Sequence, residues 1–150
     1  MKLGFRIKHY FYNAFRELFV HHHGSLAFRA KIYALIIAAN ERASVENFII
    51  VKKHGLEIYK DDKDRANLLL LSTKEMVQKI KEDNGLDIDA LIQSIQQDLK
   101  VAPRYAKKID IESLQEFLSL TYDEDSLAYQ NNILEFLKKL KEETLHKNKK

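Results

Sequence analysis

The sequence predicts an all-α fold, a single-domain bundle of about seven or eight helices, on three observations. Breakers are scarce: the 150 residues hold four Gly and one Pro, which suits long helices with short connections and starves an all-β fold of turns. Apolar residues recur at helical spacing through most of the chain. Ser and Asp stand ahead of several apolar runs, where they cap helix starts. A domain of this length buries roughly 70% of its unfolded surface and needs no covalent staple. The chain has no Cys, which excludes disulfides, thiolate metal ligands and cysteine nucleophiles and suits a reducing compartment.

Residues 2–22 read as an amphipathic helix. Leu3, Ile7, Tyr10, Phe11, Ala14, Phe15, Leu18 and Phe19 form one face, and Lys2, Arg6, His9, Asn13 and Arg16 the other. Each buried Leu, Ile or Phe contributes ~1.5–3 kcal/mol, whereas a basic residue near an anionic membrane contributes ~1 kcal/mol. Apolar burial therefore dominates, against the domain itself or against a partner. His21, His22 and His23 precede Gly24, expected as a left-handed helix end. Adjacent helical residues point about 100° apart, so three consecutive imidazoles cannot converge on one ion. The expected organisation is an N-terminal helix over 1–24, a helical domain over 25–145 and a frayed basic tail over 146–150.

The stretch 27–39 is the expected central helix, with Ser25 as its cap. Ile32, Leu35, Ile36 and Ala39 recur at helical spacing, Phe28, Tyr33 and Ile37 widen the stripe, and Ala30, Ala34 and Ala38 let neighbours approach. After the polar break at 40–44, Ser44 caps a helix whose inward positions are expected to be Val45, Phe48, Ile49, Lys52 and Leu56. Lys52, Lys53 and His54 read as a solvated basic cluster, and Gly55 either ends this helix or sits within it. Asp61, Asp62 and Asp64 precede the most regular helix, with Ala66, Leu69, Leu70, Thr73, Met76, Val77 and Ile80 on one face and Asn84-Gly85 at its stop. Asp87 starts a helix with Ile88, Leu91, Ile92, Ile95 and Leu99 on one face. Pro103 marks either a break or the first turn of a short helix through Lys108. Asp110 caps one carrying Leu114, Phe117, Leu118 and Thr121, and Ser126 caps the last, with Leu127, Ile133, Leu134, Leu137 and Leu140 inward.

A net charge of +3 is too small to argue for nucleic acid. Its distribution is uneven: residues 1–60 hold ten Lys/Arg and four Asp/Glu, 61–100 six against nine, and 101–150 nine of each. The basic residues are mixed with acids in most helices, unlike a recognition helix with an exposed basic face. No apolar run approaches the ~20 residues needed to span a bilayer, and no signal peptide is visible, so a soluble cytoplasmic protein is expected.

Catalytic and metal motifs are missing. There is no H-E-x-x-H, no G-x-S-x-G and no Gly-rich phosphate loop. The acid run at Asp123 lacks the central Gly and twelfth-position Glu of an EF-hand, since its twelfth position is Leu134. The two acid runs read first as helix caps; clustered carboxylates also attract hard cations, which makes Asp123, Glu124 and Asp125 the candidate metal ligands.

Leu35-Ile36-Ile37-Ala38-Ala39-Asn40-Glu41, followed by Ser44-Val45, is echoed by Leu118-Ser119-Leu120-Thr121-Tyr122-Asp123-Glu124, followed by Ser126-Leu127. Each is an apolar helix end, a polar loop and a Ser-capped helix. The pattern resembles the TerB-like family, comprising the tellurite-resistance TerB proteins and the domain of that type in DjlA-like co-chaperones. It covers about 26–59 and 114–140, with Asn40-Glu41 and Asp123-Glu124 standing where the family has Asp-Gly. The family's acidic, proposed metal-binding positions fall on Asp123 and, more loosely, Glu46. The resemblance implies about seven helices, a role in stress response or as an interaction module, and no catalytic activity.

The functional expectation is a non-enzymatic interaction or adaptor protein without a cofactor. It docks a protein partner through the basic-aromatic helix over 1–24, with Arg6, Tyr10, Tyr12 and Arg16 as contacts. Peripheral membrane contact and homodimerisation stay open. Two alternatives come from other classes: a stress protein binding divalent cations weakly, and a helical secretion- or flagellar-type chaperone receiving a partner helix. No pair of residues proposes a nucleophile with its base, so no enzyme is expected.

Overall fold

The computed structural model describes residues 24–83 and 85–148. Arg6, Tyr10, Tyr12, Arg16 and the histidine triplet lie outside the described residues. Among the described residues six α-helices and one 3-10 turn follow each other: α1 (Gly24–Ala38), α2 (Val45–Ile58), α3 (Lys63–Lys81), α4 (Ile88–Val101), the 3-10 turn (Pro103–Lys108), α5 (Ile111–Leu118) and α6 (Glu124–Asn148). Among the described residues there is no strand, and the expected all-α bundle is what the chain forms.

Helix α1 is the centre. Leu26, Phe28, Ala30 and every residue from Ile32 to Ala38 are buried, as an all-round apolar helix requires. It packs on α3, α4, α5, α6 and the 3-10 turn, while α2 lies on α3. Gly24 is not the left-handed end expected of it, because it belongs to α1; among the described glycines Gly85 is the one with positive φ, at 84°. Its size matters differently: a Cβ here would stand 2.5 Å from the Tyr105 hydroxyl. Ser25 likewise lies inside the helix rather than ahead of it.

Helix α2 shows the largest departure from expectation. Val45 and Ile49 are 72% and 62% exposed, and the buried positions are Asn47, Val51, His54 and Gly55. His54, expected in solvent beside its lysines, is 4% exposed. Close approach to α3 explains the rotation. A Cβ on Gly55 would lie 3.1 Å from the Ala66 Cα, so the small-residue face meets α3 and carries its neighbour His54 inward.

Ser44 stands at the N-cap position of α2 but its side chain makes no cap hydrogen bond, whereas three aspartates cap as expected. Asp62, Asp87 and Asp110 accept from the backbone N–H groups of Arg65, Ala90 and Ser113. Ser126 does not cap α6. Asp123 takes that role, its Oδ2 accepting from the Ser126 N–H at 2.9 Å, and the Ser126 Oγ accepts instead from the Glu41 N–H at 3.1 Å. The two similar segments therefore meet, the loop after α1 touching the first turn of α6. Helix α6 continues through His146 and Lys147, where fraying was expected, to Asn148.

Polar groups tie these elements together. The Gln130 Nε2 donates to the Ile36 carbonyl at 3.0 Å while its Oε1 accepts from the Thr121 hydroxyl at 2.6 Å, so a fully buried amide is satisfied. The Lys81 ammonium donates to the carbonyls of Ala38, Asn40 and Glu41 just past the end of α1, a cation at a helix's negative pole.

Candidate functional site

Beside the His54 face of α2, four elements enclose a half-open cleft of about 220 Å³. Its walls are Arg29, Ile32 and Tyr33 of α1, His54, Glu57 and Ile58 of α2, Lys107 and Lys108 of the 3-10 turn, and Asp110, Ser113, Leu114 and Glu116 at α5. Tyr33 and His54 face each other because the inward turn of α2 meets the tyrosine on the α1 stripe.

His54 joins three helices. Its Nε2 lies 3.2 Å from the Glu116 Oε1, and its Nδ1 3.2 Å from the Tyr33 hydroxyl. A carboxylate only accepts, so the proton belongs on Nε2, and Nδ1 accepts from the tyrosine O–H. The imidazole stands edge-on to the fully buried Phe117 ring, 6.1 Å between centroids, and Tyr33 is 5.7 Å from the same ring. Burial raises the Tyr33 phenol pKa well above its ordinary value, with Arg29 pulling the other way. Tyr33 therefore stays a hydrogen-bond donor rather than a phenolate.

The opposite lip is basic. A second recess of about 460 Å³ shares Lys107 and Lys108 with the cleft and adds Ser25, Arg104 and Tyr105. The Arg104 guanidinium sits 5.0 Å from the Tyr105 ring centroid, and that ring lies 5.4 Å from Phe28. Partial burial lowers the Lys108 pKa, and the charges of Arg29 and Arg104 lower it further. Among the described residues, none of Arg29, Arg104, Lys107 or Lys108 forms an ion pair with a carboxylate.

The acid run at the start of α6 serves the helix. Hydrogen bonds from Ser126 hold the Asp123 carboxyl below its usual pKa, with help from Arg42, and Glu124 and Asp125 are exposed. Glu46, the other acidic position, is exposed in the first turn of α2. Among the described residues no group of three His, Asp or Glu is placed to hold a metal ion. Likewise, no described helix is long and apolar enough to cross a membrane.

Sequence reasoning missed the cleft because it set His54 in solvent and gave Glu116 no role. A signal was present: Asn47, Val51, His54 and Ile58 form a helical stripe as regular as the one chosen, but with polar members. The fold and site define an all-helical domain with a charged, half-open cleft. No family model matches the sequence, and neither a curated protein nor a solved structure matches the chain.

Proposed function

We propose that this chain is a non-enzymatic interaction protein that docks acidic residues of a protein partner on the lip formed by Arg29, Arg104, Lys107 and Lys108. One observation carries the reading: four cations crowd two adjoining recesses, and among the described residues no carboxylate pairs with them. The cleft also holds Glu57, Asp110 and Glu116, so charge of one sign gathers on the Arg104 side, and unpaired cations there steer and register an oppositely charged partner. The cleft's imidazole and phenol are both committed to hydrogen bonds between helices, which supports a binding role over a reactive one. The stretch 1–24, with Arg6, Tyr10, Tyr12 and Arg16, adds basic and aromatic residues of the kind enriched at interfaces. A kinship with TerB-like domains is proposed beside this, supported by the helical fold and by the meeting of the two similar segments through Glu41 and Ser126.

Fluorescence anisotropy of a labelled glutamate-rich peptide against the full chain tests the docking reading. Exchange of Lys107 and Lys108 for Gln is expected to weaken binding by about ten-fold, on the order of 1.4 kcal/mol. Exchange of Lys138 and Lys139, which line neither recess, removes equal charge and should leave most of the affinity. Equal losses in the two double variants would reduce the interaction to net charge and contradict a specific lip.

A further inference from the structure

We infer that the recess lined by Ser25, Arg104, Tyr105, Lys107 and Lys108 is a phosphate-type oxyanion site. The inference rests on the docking reading and sharpens it, by naming the acidic group that the lip receives.

The treatment of lysines elsewhere in the fold supports it. Other half-buried lysines have company for their charge: Lys31 reaches Asp98 at 2.6 Å, Lys141 reaches the Ile109 carbonyl at 2.6 Å, and Lys74 lies 5.6 Å from the Phe48 ring centroid. Lys108 is half-buried too, yet no acceptor among the described residues meets its ammonium, and the cations Arg29 and Arg104 act on it by repulsion. An ammonium so placed is partly desolvated and repelled at once, the environment that an arriving anion relieves.

The chemistry of the lining selects among anions. A carboxylate carries one charge and two oxygens in a plane, which one arginine fork satisfies. Three cations around one recess match a group of about −1.5 to −2 charge with three acceptor oxygens, which is a phosphate. Arg104 supplies a planar fork, with its guanidinium beside the Tyr105 ring, and Lys107 and Lys108 add point charges. The Ser25 hydroxyl is a neutral donor on the same wall. No carboxylate lines this recess, whereas Glu57, Asp110 and Glu116 line the neighbouring cleft. The oxyanion therefore belongs on the Arg104 side of the two lysines.

Calorimetric titration of the full chain with three probes tests this: inorganic pyrophosphate, a glutamate-rich peptide with one central serine, and the same peptide phosphorylated on that serine. The phosphorylated peptide should bind at least about ten-fold more tightly than the unmodified one, and pyrophosphate should compete with it. Exchange of Arg104 for Gln, an exposed position, and the double Lys107→Gln and Lys108→Gln variant should each abolish that preference. Equal affinity for the two peptides would overturn the oxyanion site and leave the docking reading standing. Variant-sensitive binding of pyrophosphate alone would support the site, with a free phosphate compound as its ligand, and overturn protein docking. A preference that survives both variants would overturn the assignment, and silence from all three probes would overturn both proposals.

Discussion

Leucine in place of His54 removes one member of the chain Tyr33–His54–Glu116, and the two ends respond differently. The Glu116 side chain is 44% exposed and regains water when its partner goes. Tyr33 is 5% exposed, and its hydroxyl would be left without the acceptor that it has at 3.2 Å. An orphaned buried polar group costs about 1–3 kcal/mol. Leucine keeps an apolar body against Phe117, so the change is dominated by that orphaned hydroxyl. With a urea slope of about 1–3 kcal/mol/M for a domain of this size, the unfolding midpoint should fall by about 1 M. Tyr33→Phe strands the imidazole Nδ1 instead and should cost a similar amount. The double variant strands neither, so it should lose clearly less than the sum of the single losses. Urea unfolding of the four proteins checks the cycle. Additive losses, or an unchanged midpoint in His54→Leu, would refute the claim that this pair locks α1 to α2.

Other expectations follow from the same geometry. Gly55→Ala should destabilise by about 1–3 kcal/mol despite the better helix propensity, since the new Cβ meets the Ala66 Cα at 3.1 Å and forces α2 off α3; thermal melting reads it. Gln130→Leu leaves the Ile36 carbonyl without its side-chain donor in the core and the Thr121 hydroxyl with only its 3.4 Å bond to the Phe117 carbonyl, and should cost about 1–3 kcal/mol by urea unfolding. Glu75 has its pKa raised by burial, against the pull of Lys79. The native state therefore holds this proton to higher pH than the unfolded chain, and stability falls as pH rises through the raised native value. Glu75→Gln should be more stable than the natural protein at neutral pH, with the gain vanishing below about pH 4. Asp123 has the opposite sign: its lowered native pKa gives stability above the unfolded value of 3.8 that is lost as pH falls through the native one. Asp123→Asn should flatten that acid limb.

Helix existence was legible because the main signals are local. The Asp62, Asp87 and Asp110 caps and the α3 stripe from Ala66 to Val77 depend on neighbours within a turn or two, and the chain uses them as written. Rotation about a helix axis was less legible. In α2 apolar Val45 and Ile49 face out while His54 and Asn47 face in, because the contact at Gly55 and Ala66 outweighs the burial of two side chains near the start of the helix. Asp123 and Ser126 exchanged roles for a similar reason: the Glu41 N–H, 85 residues away in sequence, claims the serine. The site is the least local feature. Tyr33, His54 and Glu116 are separated by 21 and 62 residues, and no periodicity within one helix announces such a meeting. The basic lip was legible only as the scattered letters Arg29, Arg104, Lys107 and Lys108.

The reading of this protein as a docking module is tested most directly by mapping amide chemical shifts of the full chain during titration with a glutamate-rich peptide. Shifts confined to the 3-10 turn from Pro103 to Lys108 and to the facing turn of α1 around Ser25 and Arg29 are the predicted result. A titration that leaves those amides unmoved, or moves amides across the whole surface equally, contradicts it.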